Sequence, residues 1–300
     1  MWIQWCGTVA AVSLSLWVSV FGGRVDGRRG PEHVPARSGQ PAPAVAIYAV
    51  RYGTLTNFPV AALVAGADTA RRMDIALMVW LIRERGADGH PHTVLVDAGF
   101  YRDAFVRRWH PADYQRPSVA LAALGVRPED VTDLIISHVH WDHLDGADLF
   151  PNARVWIQRA EYVHHVDAAG HSLDPAIDST DAAMLGRLHA AGRVTLLDGD
   201  SSEVLPGIVA YTGGKHTYAS QYVSVATRHG TVVLASDNAY LYENLSAHRP
   251  IAQTLDSASN LAAQARMVRL AGDLRRIVPG HDPAVFERFP RPGHGIARIE

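Results

Sequence analysis

The stretch SHVHWDHLDG, residues Ser137–Gly146, concentrates three histidines and two aspartates in a short segment. It follows the apolar segment Asp133–Ser137, which is predicted to be a β-strand. The loops at the carboxyl ends of strands in α/β sheets usually carry ligand-binding side chains. His138 and His140 are two residues apart on an extended exit, so both side chains point the same way. Burying so many imidazole and carboxylate groups is unfavourable without a cation, so the stretch predicts a metal site, with zinc preferred.

The composition is that of an ordinary globular protein. The chain has 300 residues, of which 48% are hydrophobic and 19% charged, and is long enough to bury a substantial core. Its net charge of −2 and pI near 6.8 provide no basic field for nucleic-acid phosphates, so no nucleic-acid partner is expected. The single cysteine, Cys6, lies in the N-terminal apolar run, which leaves nitrogen and oxygen ligands for any metal.

The N-terminal region is predicted to be an export signal or an anchor. Residues 1–23 contain the uncharged apolar run Trp2–Phe21, and residues 24–45 form a Pro/Arg/Gly-rich spacer. Arginines follow the run but no basic residue precedes it, the reverse of the usual asymmetry, so an uncleaved membrane anchor remains the alternative to a signal peptide. We expect an exported protein, periplasmic or secreted, that contacts a membrane only if this segment is an anchor. Nothing in the sequence indicates an oligomeric state.

From Ala46 onward, short apolar segments alternate with helical patterns, without an internal repeat or a second linker. This pattern predicts one α/β domain over residues 46–300 that opens with a β-meander, in which an Asp88-Gly89 turn joins two strands. The predicted strands are residues 45–52, 76–82, 92–96, 133–137, 154–158, 194–197, 208–211, 222–227, 231–235 and 276–278. The predicted helices are residues 118–124, a segment after 127–130, and residues 159–166, 180–191 and 260–270.

Three more side chains that suit a metal each follow an apolar strand: His216, Asp237 and His281. Each alone is a weak indication, but repetition at four strand ends is much stronger, because strand ends can converge at one edge of a sheet core. The other histidines are interpreted as surface or hydrogen-bonded residues: His33, His90, His92, His110, His164, His165, His171, His189, His229, His248 and His294.

Together these residues resemble the metallo-β-lactamase superfamily, from about residue 46 to residue 290. Its His-x-His-x-Asp-His signature matches His138, His140, Asp142 and His143 without a gap. The resemblance implies the α/β fold of that family, an αβ/βα four-layer sandwich in which two sheets pack face to face with helices outside. It also implies two Zn²⁺ ions, with manganese, cobalt or iron as alternatives.

Carried over residue by residue, the resemblance assigns three side chains to each ion and one to both. His138, His140 and His216 would bind the first ion, Asp142, His143 and His281 the second, and Asp237 would bridge the two.

The branch of the superfamily is indicated by a few positions. Asp237 argues against a true zinc β-lactamase, which lacks the bridging aspartate, and His140 argues against the iron redox members, which have glutamate there. The chain is most similar to the N-acyl homoserine lactonases, in which a tyrosine follows the bridging aspartate by three residues. Here that residue is Tyr240, with Tyr242 as its nearest alternative.

The implied function is hydrolysis of lactone rings, N-acyl homoserine lactones first, by a metal-bridging hydroxide. Tyr240 would stabilise the oxyanion and Asp142 would relay a proton to the leaving alkoxide. Zinc-dependent thioesterases or esterases of the glyoxalase II type, and other lactonases, remain alternatives. A metal-binding scaffold without turnover is the non-enzymatic one. The partner is in each enzymatic case a small-molecule lactone or ester.

Three further features leave alternatives open. Lys215 precedes His216 where the family usually has Pro-Gly-His, and this cation could favour an anionic substrate or product. Asp97 is expected either to orient a metal ligand or to form a turn. Residues 58–64 and 100–109 are expected in loops, where they either wall an apolar channel for an acyl chain or pack in the core.

Overall fold

The computed structural model describes residues 45–85 and 91–300. The predicted signal peptide or anchor lies outside the described residues, as do nearly all of the spacer and the predicted Asp88-Gly89 turn. Within the described part of the chain, no helix is long and apolar enough to cross a membrane. The described residues belong to one compact unit, Pro41–Glu300.

The described residues form two sheets flanked by helices. The strands are β1 (Ala46–Pro59), β2 (Arg72–Arg85), β3 (Pro91–Val96), β4 (Asp133–Ile135), β5 (Arg154–Gln158), β6 (Val194–Leu197), β7 (Ser202–Leu205), β8 (Ile208–Thr212), β9 (Gln221–Thr227), β10 (Gly230–Ser236), β11 (Ile277–Pro279) and β12 (Ile296–Arg298). The α-helices are α1 (Asp103–Trp109), α2 (Pro117–Leu121), α3 (Trp141–Leu144), α4 (Arg159–His165), α5 (Ser179–Ala190), α6 (Tyr242–Ser246), α7 (Ser257–Ala271) and α8 (Val285–Arg288).

The first sheet has the order β12-β1-β2-β3-β4-β5-β6 and the second the order β11-β10-β9-β8-β7. The antiparallel β1, β2 and β3 form the predicted meander, and β3 to β6 are parallel. In the second sheet β8 and β10 are both antiparallel to β9, while β11 is parallel to β10. The carboxyl ends of β3, β4 and β5 therefore share one edge, and those of β8, β10 and β11 share another.

Strand β2 shows why the fold has four layers. Residues 75–82 form an apolar run that is buried on both faces, as expected of a strand covered on both sides. Ala76, Met78, Trp80 and Ile82 pack between the sheets with side chains of β8, β9 and β10. The alternate residues of β2 face the outer layer that includes α5. Since α7 covers the outer face of the second sheet, the predicted αβ/βα sandwich is confirmed.

The differences from the predicted elements are local. The helix expected after residues 127–130 is only a 3₁₀ turn, Pro128–Asp130. Strand β4 ends at Ile135 rather than at Ser137, because the Ser137 amide donates to the Asp97 carboxylate, at 2.8 Å. The helices α1, α3, α6 and α8 and the strands β7 and β12 are short and were not predicted. Their local sequence signals are weak compared with their tertiary contacts.

Candidate metal centre

One loop of the first sheet and three of the second bring the seven expected ligands together. His138 and His140 follow β4, and α3 carries Asp142 and His143 immediately afterwards. His216, Asp237 and His281 follow β8, β10 and β11. Their ligand atoms form two groups: His138, His140, His216 and Asp237 in one, and Asp142, His143 and His281 in the other. We refer to these seven residues as the metal centre.

Asp237 lies between the two groups, with one carboxylate oxygen towards each. Its Oδ2 is 3.3 Å from His216 Nε2 and 3.7 Å from His138 Nε2. Its Oδ1 is 3.0 Å from His281 Nε2 and 3.3 Å from His143 Nε2. This is the arrangement that a carboxylate needs in order to contact two ions at once. The backbone of the neighbouring loop permits it at Gly280, where a Cβ atom would lie 2.8 Å from Asp237 Oδ1.

Four of the five imidazole rings are oriented by a hydrogen bond at the nitrogen that faces away from the centre, as metal-binding histidines usually are. These four rings present Nε2 to the centre and have a hydrogen-bond partner at Nδ1. The partner is a side chain for two rings: Ser137 Oγ for His138 at 2.9 Å and Asp97 Oδ2 for His143 at 2.8 Å. It is a backbone carbonyl for the other two: that of Gln253 for His216 at 2.8 Å and that of Ala76 for His281 at 2.9 Å. His140 instead presents Nδ1, which lies 3.0 Å from His138 Nε2 and 2.9 Å from His216 Nε2. Each ring is thereby fixed with one nitrogen directed at the other ligands.

The donor set fits a pair of cations. Among the described residues, His143 Nε2 and Asp237 Oδ1 are buried without a hydrogen-bond partner, which a bound ion would explain. Burial, together with the neighbouring imidazoles, holds the pKa of His138 and His140 well below the ordinary value, so both rings are neutral. Burial opposes ionisation of Asp237, but the nearby His143 and His281 outweigh it and hold its pKa well below the usual range. Neutral imidazole, as at His138 and His140, and ionised carboxylate, as at Asp237, are ligand forms that zinc prefers.

Asp97 both forms a turn and orients expected metal ligands, so the two roles predicted as alternatives for this residue occur together. Its φ of 60° is in the left-handed region, as a tight turn after β3 requires. Its buried carboxylate accepts from His143 Nδ1 and from the hydroxyls of Ser137 and Ser236, at 2.8 to 3.0 Å. The Ser137 hydroxyl in turn contacts His138. One carboxylate therefore supports a histidine of each group.

Glu161 in α4 is a site residue that the sequence pattern does not indicate. It is fully buried, and its carboxylate accepts from the Val139 amide at 3.2 Å, the Thr217 hydroxyl at 2.5 Å and the Ala219 amide at 2.6 Å. Val139 lies between His138 and His140, and Thr217 follows His216. Glu161 thus links the two loops that carry the three histidines of the first ligand group. A glutamate inside a helical pattern carries no local signal of this role.

The loop that carries His216 is closely packed at Gly214. A Cβ atom on Gly214 would lie 2.4 Å from the Asn260 backbone, and the Gly214 amide donates to Asn238 Oδ1 at 2.7 Å. Lys215 has a φ of 59°. Its ammonium donates to the Tyr218 carbonyl at 3.0 Å and lies 4.6 Å from the centre of that ring. The Lys215 charge therefore contacts its own loop.

Tyr240 and Tyr242 occupy different environments. Tyr240 is buried beside the metal centre, with its ring 5.6 Å from that of His216 and 5.8 Å from that of His281. Its hydroxyl is 3.4 Å from His216 Nδ1. Tyr242 packs in the core between the sheets, with Arg288 over its ring at 3.7 Å. Of the two tyrosines, Tyr240 is the one placed to act at the centre.

A pocket of about 340 Å³ opens beside the first ligand group. His140 and His216 form part of its wall, and Tyr218, Ala252, Gln253 and Leu255 lie around them. The segments expected to wall an acyl channel are placed differently. Val60, Leu63, Val64, Phe100 and Phe105 are buried in the outer core of the first sheet, so core packing accounts for most of both segments. Residues 103–109 are also helical rather than loop.

Fold and site together define an αβ/βα sandwich with a histidine- and aspartate-rich metal centre at the shared edge of its two sheets. A profile of the metallo-β-lactamase superfamily matches residues 78–281, and the chain belongs to this superfamily.

The relatives and solved structures similar to the chain include several lactonases. An N-acyl homoserine lactonase from Bacillus sp. is 29% identical over 202 residues, which cover 66% of this chain and 72% of the relative. The structure of an N-acyl homoserine lactone hydrolase with the product N-hexanoyl-L-homoserine at its catalytic metal centre is 20% identical with a TM-score of 0.66, covering 82% of this chain and 96% of that one. The structure of AidC, described as a dizinc quorum-quenching lactonase, is 14% identical with a TM-score of 0.58, covering 80% and 88%.

Proposed function

We propose that this protein is a dinuclear metal hydrolase that opens the rings of lactones, with N-acyl homoserine lactones as the favoured class. The observation that carries the proposal is the position of Asp237 between two groups of three ligands, with Tyr240 beside it. The relatives named N-acyl homoserine lactonase support the substrate class. Zinc is the proposed metal because the ligands are imidazole and carboxylate.

Each of the two proposed ions would have three ligands of its own and share one. His138, His140 and His216 would hold one ion, Asp142, His143 and His281 the other, and Asp237 both. When bound, the ions supply an activated water nucleophile and Lewis acidity at the carbonyl. Neither group has a redundant member, and the imidazoles are fixed by the partners at their outer nitrogens, so the chain presents a preorganised site.

Tyr240 is proposed to donate a hydrogen bond to the carbonyl oxygen as it gains negative charge. Burial, with the charges of Asp237 and Asp142 adding to it, raises the pKa of Tyr240 well above its ordinary value. The phenol is therefore protonated at neutral pH and can donate. Its hydroxyl has only the long 3.4 Å contact to His216 Nδ1 among the described residues, so it is available to a substrate oxygen.

Asp142 is proposed to move the proton to the leaving alkoxide. Its side chain is 13% exposed, whereas that of Asp237 is 5% exposed, so Asp142 is the ligand carboxylate that solvent reaches more readily. Its Oδ2 faces His143 and His281, both at 3.7 Å from Nε2, which leaves Oδ1 for a proton. Ring opening adds water to the carbonyl carbon and breaks the ring C–O bond. One proton of the water passes to the leaving alkoxide, which becomes a hydroxyl, and the other is released when the carboxylic acid product ionises to a carboxylate.

The proposed route for the substrate is the pocket that reaches His140 and His216. Its wall carries exposed apolar groups, of which Leu255 and Tyr218 are the largest, and these suit an acyl chain better than the buried segments 58–64 and 100–109 do.

The test is a substrate panel on the purified full chain with its metal content measured. We expect hydrolysis of N-acyl homoserine lactones, loss of activity after chelation and its recovery with zinc. Glutathione thioesters, phosphodiesters and β-lactams are the comparison substrates. Faster turnover of a thioester than of any lactone would replace the lactonase assignment by the glyoxalase II type. Activity that survives complete metal removal would refute the metal-dependent mechanism.

A further inference from the structure

Near the metal centre, His164, His165 and Asp174 form another group of metal-ligating side chains, which we call the rim trio. The two histidines end α4, and Asp174 lies in the segment that follows. The sequence predicts that both histidines are surface or hydrogen-bonded residues. For His165 this interpretation is wrong, because the residue is 2% exposed and neither ring nitrogen has a hydrogen-bond partner among the described residues. A buried imidazole with two unpartnered nitrogens requires an explanation.

The distances within the rim trio are too long for hydrogen bonds and slightly longer than those between two ligand atoms of one ion. Asp174 Oδ2 is 3.7 Å from His164 Nε2, and Asp174 Oδ1 is 3.8 Å from His165 Nδ1. Both distances are too long for hydrogen bonds. Two ligand atoms that each lie about 2.0 to 2.2 Å from one zinc ion are roughly 3 to 3.6 Å apart. The Asp237 contacts in the metal centre, at 3.0 to 3.7 Å, fall in nearly the same range.

A carboxylate alone does not satisfy His165. Glu161 Oε1 is 3.7 Å from His165 Nε2, but the Glu161 carboxylate already accepts from Val139, Thr217 and Ala219. Burial lowers the pKa of His165 against the opposing charges of Glu161 and Asp174, so the ring is neutral, which is the form that binds metals.

The ligands are also held in position. The His164 ring stacks on Tyr218, with centroids 3.9 Å apart and an interplanar angle of 4°. Asp174 Oδ1 accepts from the Ala176 amide at 2.7 Å. These contacts reduce the side-chain freedom that an ion would otherwise have to remove.

We propose that the rim trio binds one divalent transition-metal ion, of the zinc, cobalt or nickel class, in addition to the ions of the metal centre. Imidazole and carboxylate ligands define this class. Three protein ligands leave at least one coordination position open. The rim trio shares a pocket with His140 and His216, so this position faces the pocket and suits an anionic oxygen such as a carboxylate.

The third ion is expected to bind more weakly than the first two. His164 is exposed, and the rim trio has no carboxylate that bridges to a second ion. We expect its dissociation constant to be at least about ten-fold higher than those of the metal centre, since each 1.4 kcal/mol of lost binding energy is a factor of ten.

The experiment is a metal titration of the full chain, stripped by a chelator and dialysed against increasing free cobalt(II) or zinc. Bound metal is measured by elemental analysis, and cobalt also by its visible absorption. Wild type should bind one equivalent more than His164→Asn and one more than Asp174→Asn. The matched control is His171→Asn, which removes an exposed histidine from a His-Asp pair, 3.1 Å from Asp167, outside the rim trio. It should bind as much metal as wild type.

Equal metal content in wild type and His164→Asn at saturation would overturn the proposal, as would loss of the same equivalent in His171→Asn. Because His164 is exposed, its substitution should leave the fold intact, and thermal melting of the apo protein checks this point. The lactonase proposal is judged separately by lactone hydrolysis. A missing third equivalent in a protein that hydrolyses lactones would refute only the rim-trio site, and a third equivalent in a protein that does not would refute only the lactonase assignment.

Discussion

Replacing Tyr240 by phenylalanine separates catalysis from metal binding. The substitution removes one hydroxyl and leaves the buried ring, which packs beside His216 and His281, in place. Tyr240 is not among the seven expected ligands. The variant should therefore fold and bind metal as wild type does, while it lacks the proposed donor to the oxyanion.

The structure bounds both effects of this change. The hydroxyl's contact with His216 Nδ1 is 3.4 Å, at the limit of a hydrogen bond, and that nitrogen already has the Gln253 carbonyl at 2.8 Å. Its loss should therefore change the free energy of unfolding by less than about 1 kcal/mol. A donor to a developing oxyanion is typically worth on the order of 10² to 10³ in kcat. Because the metal centre shares that charge, we expect a loss of about 10-fold to 100-fold, or roughly 1.4 to 2.7 kcal/mol.

The assay is steady-state hydrolysis of an N-acyl homoserine lactone, followed by acid release, with metal content measured on the same samples. The fall should appear in kcat with KM little changed, since the interaction is made in the transition state. The matched control is Tyr242→Phe, which removes a buried hydroxyl that has no hydrogen-bond partner among the described residues, and which should leave kcat unchanged. A wild-type kcat in Tyr240→Phe with full metal content would refute the donor role.

Four further changes test other parts of the structure. Asp237→Ala should lower both metal content and activity, because the proposed bridge between the two ligand groups is lost. Full metal occupancy by elemental analysis would contradict that role. Glu161→Gln should weaken metal binding by about 10-fold to 100-fold in a chelator competition, because Glu161 accepts hydrogen bonds from both loops that carry the expected histidine ligands. The control Glu129→Gln, at an exposed glutamate without these contacts, should not weaken it. Lengthening the acyl chain of the substrate from roughly four to ten carbons should lower KM, with about 0.8 kcal/mol available per buried methylene. Leu255→Ala should reduce the dependence of KM on chain length. A KM independent of chain length would argue against an apolar wall in the pocket. Burial, with Asp145 beside it, raises the pKa of Asp181 to about 9. The contribution of Asp181 to the free energy of unfolding is therefore complete below its unfolded pKa of about 4 and is lost as the pH rises towards 9. Asp181→Asn should accordingly lose less thermal stability than wild type between pH 6 and 9.

The expected ligand positions and the family fold could be predicted from the sequence because their signals are local. Strand β4 ends two residues before Ser137, and the next eight residues carry four of the seven expected ligands. His216, Asp237 and His281 each follow an apolar strand, and strand ends of the same direction meet at one edge of a sheet. Successive β2 side chains face the outer layer and the space between the sheets in turn, as the two-residue period of a strand predicts.

Other properties depend on residues that are far apart along the chain, and these only the tertiary structure decided. Glu161 contacts Val139 and Thr217, which lie 22 and 56 residues away from it, and no pattern around Glu161 indicates either contact. The sequence left Tyr240 and Tyr242 as alternatives, but the fold places one beside the metal centre and the other between the sheets. The aromatic segment that includes Phe100 was open to either a channel or the core, because apolar side chains serve both, and the packing of the outer layer decided for the core. Hydrophobic periodicity and ligand type are properties of short segments, whereas hydrogen-bond partners and the walls of a pocket are set by how distant segments meet.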